Sequence, residues 1–271
     1  MKLRNHIGIW LLIFAPYALI VVFGLGYISL PTFLHARKPV VWSAWQAPDP
    51  DTIPAGPSGD SIRYGVHLFE ETPWYAPQFT GNRLSCSDCH IENGIAPYAS
   101  PMVGLPALFP MYNKRAGHVI SLKDRIQECF TRSENGRPLP YDGREMSALV
   151  AYIQWLSQPE PEHKPFVGRG LIALPKMQPD PKRGAQIYAT QCAGCHGADG
   201  AGSRPLMPPL WGPESFNDGA GMSGISKMAR FVQFNMPQNR RGTLSAQDAY
   251  DVAAYVHAQP RPRFNSAYKS Y

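Results

Sequence analysis

Dense basic runs are missing from this sequence, and so is any recognised nucleic-acid-binding module; nucleic acid is therefore set aside as a partner despite a formal charge of +6. The surplus of positive charge instead suits a lipid surface or a small acidic substrate. Charged side chains are absent altogether from Ile7 to Leu30. That run is too long for a typical signal-peptide core and long enough for a helix that crosses a bilayer, for which about 20 residues suffice. Lys2 and Arg4 precede it, and no convincing small-x-small cleavage site follows, Leu34-His35-Ala36 being a poor match. A retained membrane anchor over residues 1–40 is expected, rather than a cleaved signal or a buried soluble helix. Arg37 and Lys38 flank its far end, so the positive-inside rule alone orients it weakly. Cysteine is scarce as well. There are five in 271 residues, four of them in two short motifs, which leaves Cys129 with no thiol to pair with if those four are committed.

The motifs are CSDCH (Cys86, Cys89, His90) and CAGCH (Cys192, Cys195, His196), both C-x-x-C-H. The spacing lets two thiols add across the two vinyl groups of a haem while the next histidine reaches the iron. A zinc ribbon would also use two C-x-x-C pairs, but these lie much too far apart for one, and each is followed by histidine. Two covalently bound haem c groups are expected. Such haems are joined to the chain on the outer face of the bacterial inner membrane. The expectation is therefore a single-pass inner-membrane protein with its haem domains in the periplasm.

The surroundings of the motifs repeat too. RYGVHLF from Arg63 corresponds to KRGAQIY from Lys182, each with one apolar face at helical period. The first copy inserts EETPWYAPQFTGNRLS before its haem motif; the second does not. Each copy closes on an amphipathic helix, through Met146, Leu149, Val150, Ile153 and Leu156 in one and Ala249, Val252, Ala253 and Val256 in the other. Ser245 and Asp248 resemble a capping box at the start of the second. The fold class expected is mainly α: two tandem cytochrome c-type haem domains joined by a Pro-rich linker, behind an N-terminal transmembrane helix. The expected boundaries are a linker over 41–60, a first domain over 61–158, a linker over 159–181 belonging to neither core, a second domain over 182–260 and a tail over 261–271.

Each iron has a sixth position to fill. In the second copy Met236 lies in a Pro-containing loop 40 positions beyond His196, although Met207, Met222 and Met228 also follow the motif and any of them could simply pack in a core. In the first copy the matching position, 39 beyond His90, is Cys129. It is either a distal ligand or an inert buried thiol, with Met102 or Met111 completing that haem instead. Arg115 and Arg125 precede Cys129 by 14 and 4, and Ser133 follows it by 4. Paired guanidinium groups would lower the thiol's pKa towards thiolate and gather a small oxyanion.

With these residues in view, the stretch from about Ile62 to Ala258 resembles the dihaem thiosulfate dehydrogenases. CSDCH, KRAGHVISLKDRIQECFTRSENGRPLP, CAGCH and FNDGAGMS…FNMP carry the likeness. The resemblance implies Cys129 as distal ligand and reactive sulfur, Arg115, Arg125 and Ser133 as the anion pocket, and Met236 as ligand of the second haem. It implies thiosulfate and tetrathionate as substrate and product, and an acceptor c-type cytochrome or oxidase as partner. Two departures stand out. Some members carry a lysine before that methionine that competes for the iron, where this chain has Asn235; and many members are soluble, where this one is expected to be tethered. The rival expectation is a tethered dihaem electron carrier with no activity of its own.

Overall fold

The computed structural model describes residues 47–158, 168–203 and 207–269. The expected anchor lies outside the described residues, as does most of the first half of the second linker. Among the described residues no helix is long and apolar enough to cross a membrane.

Helix α1 (Pro57–Glu70) opens on Pro57 behind Gly56, whose φ is 82°. Proline fixes the backbone angle that a first turn needs and lacks the N–H that would go unpaired there. The helix therefore starts inside the stretch read as linker 41–60. A short hairpin follows, β1 (Met111–Asn113) against β2 (His118–Ile120). Then come α2 (Leu122–Glu128), capped reciprocally by Ser121 and Asp124, and α3 (Arg144–Leu156). The second domain is built on α4 (Pro181–Gln191), α5 (Ile225–Asn235) and α6 (Ala246–His257), the last with the Ser245–Asp248 capping box.

The repeat has a packing reason. Helix α1 crosses α3 at Gly65, where a Cβ would stand 2.2 Å from the Ala148 carbonyl oxygen; α4 crosses α6 at Gly184, where it would stand 2.0 Å from that of Asp251. Both glycines fall at the same place in the two copies, so each domain joins its first and last helices backbone to backbone. Around the first crossing Leu68, Phe69, Met146, Leu149, Ile153 and Leu156 form a core, with Val150 partly buried against it. Around the second, Ile187, Tyr188, Ala249, Val252, Ala253 and Val256 do so.

Three connecting stretches are more than connections. Leu174 and Met177, read as linker, pack on the second core, and Leu171 pairs with Ala99 across the domains. The tail is fastened as well: Phe264 lies under the Arg132 guanidinium at 4.0 Å, and its N–H donates to Asp218 Oδ1. The insertion of the first copy forms a docking arm. Leu84 enters the core of the second domain, Arg83 Nη2 donates to the Ala201 carbonyl at 2.8 Å, and Asn82 Nδ2 donates to the carbonyls of Ser133 (2.7 Å) and Ser215 (3.1 Å). Asn217 answers from the other side, its amide donating to Thr131 O at 2.9 Å. These are side-chain donors holding backbone carbonyls, the Asn82 and Asn217 amides each worth about 0.5–1.5 kcal/mol net per bond. They have no sequence period, which is why the stretches read as spacers.

The helix crossings make a direct prediction. Gly65→Ala and Gly184→Ala should each lower holoprotein stability by about 1–3 kcal/mol, because the obstacle is a backbone carbonyl that cannot swing aside; guanidinium unfolding curves measure it.

Candidate active site

Thr72 pins the first haem motif in place. Its hydroxyl donates to Leu68 O at the end of α1 and accepts from Cys86 N–H at 3.1 Å, and it lies 3.4 Å from Cys86 Sγ. Asp88 accepts from Ser85 N–H at 2.8 Å and tightens the Cys86–Cys89 turn. His90 Nδ1 is 2.7 Å from the Ser100 carbonyl, which can only accept, so Nδ1 carries the proton and the Nε2 lone pair is left for a metal. Burial holds this imidazole neutral, its pKa lowered to about 4. His196 repeats the arrangement, with Nδ1 3.1 Å from Pro208 O and its pKa lowered by burial. Two thiols, a tautomer fixed for metal binding, and a cavity of about 560 Å³ beside them make up a donor set that fits a covalent haem at the first site.

Cys129 lines that cavity together with Cys86, Cys89 and His90. It sits where α2 widens into a π turn, Cys129–Ser133, closed by Glu134 N–H donating to Cys129 O at 2.9 Å. Gln127 braces the turn, its amide exchanging hydrogen bonds with both backbone groups of Leu139 at 2.7 and 2.8 Å. The extra residue in the turn removes the simple four-residue stacking expected for Ser133, which nonetheless lines the cavity.

Glu128 organises the arginines. Its carboxylate is 1% exposed and takes four hydrogen bonds: Arg115 Nε (3.0 Å) and Nη2 (2.7 Å) on one oxygen, Arg125 Nη1 (3.0 Å) and Asn113 Nδ2 (3.0 Å) on the other. Arg115 and Arg125 both face the cavity. The expectation that they alone would turn Cys129 into a thiolate is corrected here. Burial pushes this thiol up, Arg125 pulls against it, and Glu128 and Glu134 add to the rise, leaving it above the usual thiol range. The neighbouring carboxylate cancels one of the two positive charges, and a bound metal cation is what deprotonates a ligating thiol outright.

In the second domain Met236 ends α5, its N–H donating to Val232 O at 2.9 Å, and its side chain packs against the cluster of Ile91, Ala96, Ala99 and Phe231. Met228 is a core residue. Asn235 is fully buried, and its amide donates to Tyr98 O of the first domain at 3.1 Å.

Comparison with known proteins bears on this arrangement. Residues 71–161 match the family described as SoxA/TsdA, cytochrome c domain, and residues 179–256 match Cytochrome C oxidase, cbb3-type, subunit III. The chain is 40% identical over 240 residues to a thiosulfate dehydrogenase of Allochromatium vinosum, covering 85% of this chain and 88% of that one. It belongs to the thiosulfate dehydrogenase family. A second relative in the family, from Stutzerimonas stutzeri, is 39% identical over 82% of this chain and 74% of its own. The thiosulfate dehydrogenase (TsdBA) structure from Marichromatium purpuratum superposes with a TM-score of 0.74 at 37% identity, covering 80% of this chain; this chain spans half of that one. As in the family, the two cytochrome c domains each carry a C-x-x-C-H, and the chain binds two c-type haems.

The structure thus brings Cys86, Cys89, His90, Arg115, Arg125, Cys129 and Ser133 to one cavity. Met102, weighed as a rival ligand, is buried in the first core yet also lines the cavity; Met111 lines it from an exposed position on β1. Sequence reasoning missed Glu128. The signal was there, since it stands three residues after Arg125, within salt-bridge reach on a helix. Glu128→Ala should cost about 2–3 kcal/mol of holoprotein stability and Glu128→Gln less, because the amide keeps part of the hydrogen bonding while alanine leaves the arginines uncompensated; denaturant midpoints of the two variants give the order.

Proposed function

We propose that this protein oxidatively couples two thiosulfates to tetrathionate at its first haem domain, with Cys129 as the reactive sulfur. The observation that carries the reading is the meeting of Cys129 with Arg115, Arg125 and Ser133 in the cavity that holds the first C-x-x-C-H motif. A carrier with no activity has no need of a basic pocket around a thiol. The relatives named thiosulfate dehydrogenase support the substrate.

Cys86, Cys89, His90 and Cys129 would hold the first haem; Cys192, Cys195, His196 and Met236 would hold the second. Bound, the two haems supply the two one-electron acceptors that the coupling needs. Two thiosulfate dianions repel one another, and the cavity's cations offset that repulsion where water is partly excluded. Arg115 and Arg125 bind the sulfonate end of the first thiosulfate and aim its outer sulfur at Cys129. The Cys129 thiolate sulfur (Sγ) bonds to that outer sulfur with loss of two electrons, giving Cys129 Sγ–S–SO₃⁻, a cysteine S-thiosulfonate. The second thiosulfate attacks the same outer sulfur, and the Cys129 thiolate leaves as tetrathionate forms. The reverse path reduces tetrathionate.

Held in the two domains, the haems would supply a route for those electrons toward an acceptor c-type cytochrome or oxidase. The charge-free run from Ile7 to Leu30, together with the chemistry of haem attachment, supports a single-pass anchor in the inner membrane with both haem domains in the periplasm.

Cys129→Ala holoprotein should lose turnover of thiosulfate by at least about 1,000-fold, as removal of a covalent nucleophile does, while wild type shows a thiolate-type low-spin signal in low-temperature EPR. Full turnover in the variant removes Cys129 from the chemistry, and a thioether-ligated first haem with no thiosulfate turnover points to the simple carrier instead.

A further inference from the structure

Besides Arg115 and Arg125, the cavity is lined by the cations Lys114, Arg169 and Lys227, and of these Lys227 belongs to the second domain. Arg115 and Arg125 share a single buried carboxylate, Glu128, so that trio contributes one net positive charge toward two incoming dianions. The second domain supplies another cation. Lys227, in the first turn of α5, lines the same cavity as Cys129 and the two arginines. Among the described residues no carboxylate pairs with it. Its partial burial and the nearby Arg115 and Arg125 lower its pKa, so it senses both guanidinium groups from across the domain boundary.

Lys227 also breaks a local rule. The first turn of a helix favours acidic side chains, because unpaired N–H groups make that end positive. Helix α5 has no acidic residue in its first turn and no side-chain cap, and it carries a lysine instead. Nothing in the helix itself rewards that choice. The segment that delivers it is fixed in place: Arg115 Nη1 donates to Gly219 O at 3.0 Å, tying the approach to α5 to the arginine site. Gly219 has no room for a side chain, since a Cβ there would stand 2.8 Å from Phe264 and 2.9 Å from Arg132 Nη1.

From this placement we infer that Lys227 is the binding residue for the second thiosulfate, holding it opposite the sulfur already joined to Cys129. The inference rests on the function proposed above and adds that the substrate site is shared between the two haem domains. The first dianion meets the arginines of the first domain; the second meets an ammonium that is present only when the second domain is docked. Lysine suits this task, being a compact point charge on a flexible stem that can follow an anion as it advances.

The test uses purified dihaem holoprotein oxidising thiosulfate with ferricyanide as acceptor. Lys227→Gln should raise KM for thiosulfate roughly 10-fold or more, the loss of one charge-assisted hydrogen bond. Lys227→Arg should recover most of that loss. Inhibition by sulfate, a dianion that cannot be coupled, should weaken in Lys227→Gln by a similar factor and return in Lys227→Arg. The melting temperature should stay level or rise, since a cation leaves a positive helix end. If the wild type turns over thiosulfate and Lys227→Gln keeps both its KM and its sulfate inhibition, the role of the lysine is refuted and the proposed function stands. If the wild type itself does not turn over thiosulfate, both are refuted.

Discussion

A carboxylate taken out of water must be compensated or it unfolds its surroundings, and in this molecule that carboxylate is Glu128. With 1% of its side chain exposed, it accepts from Arg115, Arg125 and Asn113, and thereby ties β1 and the hairpin turn to α2. Unpaired, such a charge costs several kcal/mol. The demand for compensation fixes both guanidinium groups at the edge of the cavity that Cys129 lines. Positive charge is not scattered over this surface by chance of sequence. It is drawn there by a buried anion that holds the donors at one end and leaves their outer N–H groups for something else.

The same device reaches the second domain. Arg115 spends Nη1 on the Gly219 carbonyl, and Arg132, 5% exposed, lies beside Glu128 and stacks on Phe264. Asn82, Asn217 and Asn235 then close the boundary by donating to backbone carbonyls of Ser215, Thr131 and Tyr98. The carbonyls of Thr131, Arg132 and Ser133, in the turn that begins at Cys129, are thus held from outside the turn. A π turn is rarer than α geometry, and external partners for its carbonyls favour the wider form. The position of the thiol therefore depends on the docking of the other domain, although no residue of that domain contacts it in the sequence.

Much of the fold could be read from local pattern. The two C-x-x-C-H motifs, the helical periodicity about Met146 and Ala249, and the capping box at Ser245 are all short-range signals, and each is present in the structure. The repeat of RYG and KRG was visible, but its cause was not, because the contact that demands glycine lies in α3 and α6, far along the chain. The docking arm at Asn82, Arg83 and Leu84 read as a mere insertion for the same reason: single hydrogen bonds between distant segments leave no period. The candidate site was legible as residue types in register with the second copy. Its electrostatics were not. Counting Arg115 and Arg125 without Glu128 gives a thiol pulled down, whereas burial and the intervening carboxylate push it up.

That reversal explains why the cations of the cavity are distributed over separate elements. Four groups of one sign confined to one helix would repel each other at every turn and destabilise it by a few tenths of a kcal/mol per pair. Here Arg115 comes from the hairpin, Arg125 from α2, Arg169 from the segment between the domains and Lys227 from α5, and all of them line one cavity. Each element carries its own charge at modest cost, and only the assembled fold sums them. A site that must accept dianions needs that sum, yet an unfolded or undocked chain need not sustain it. The buried glutamate completes the arrangement, since it lowers the repulsion between the Arg115 and Arg125 guanidinium groups that it binds.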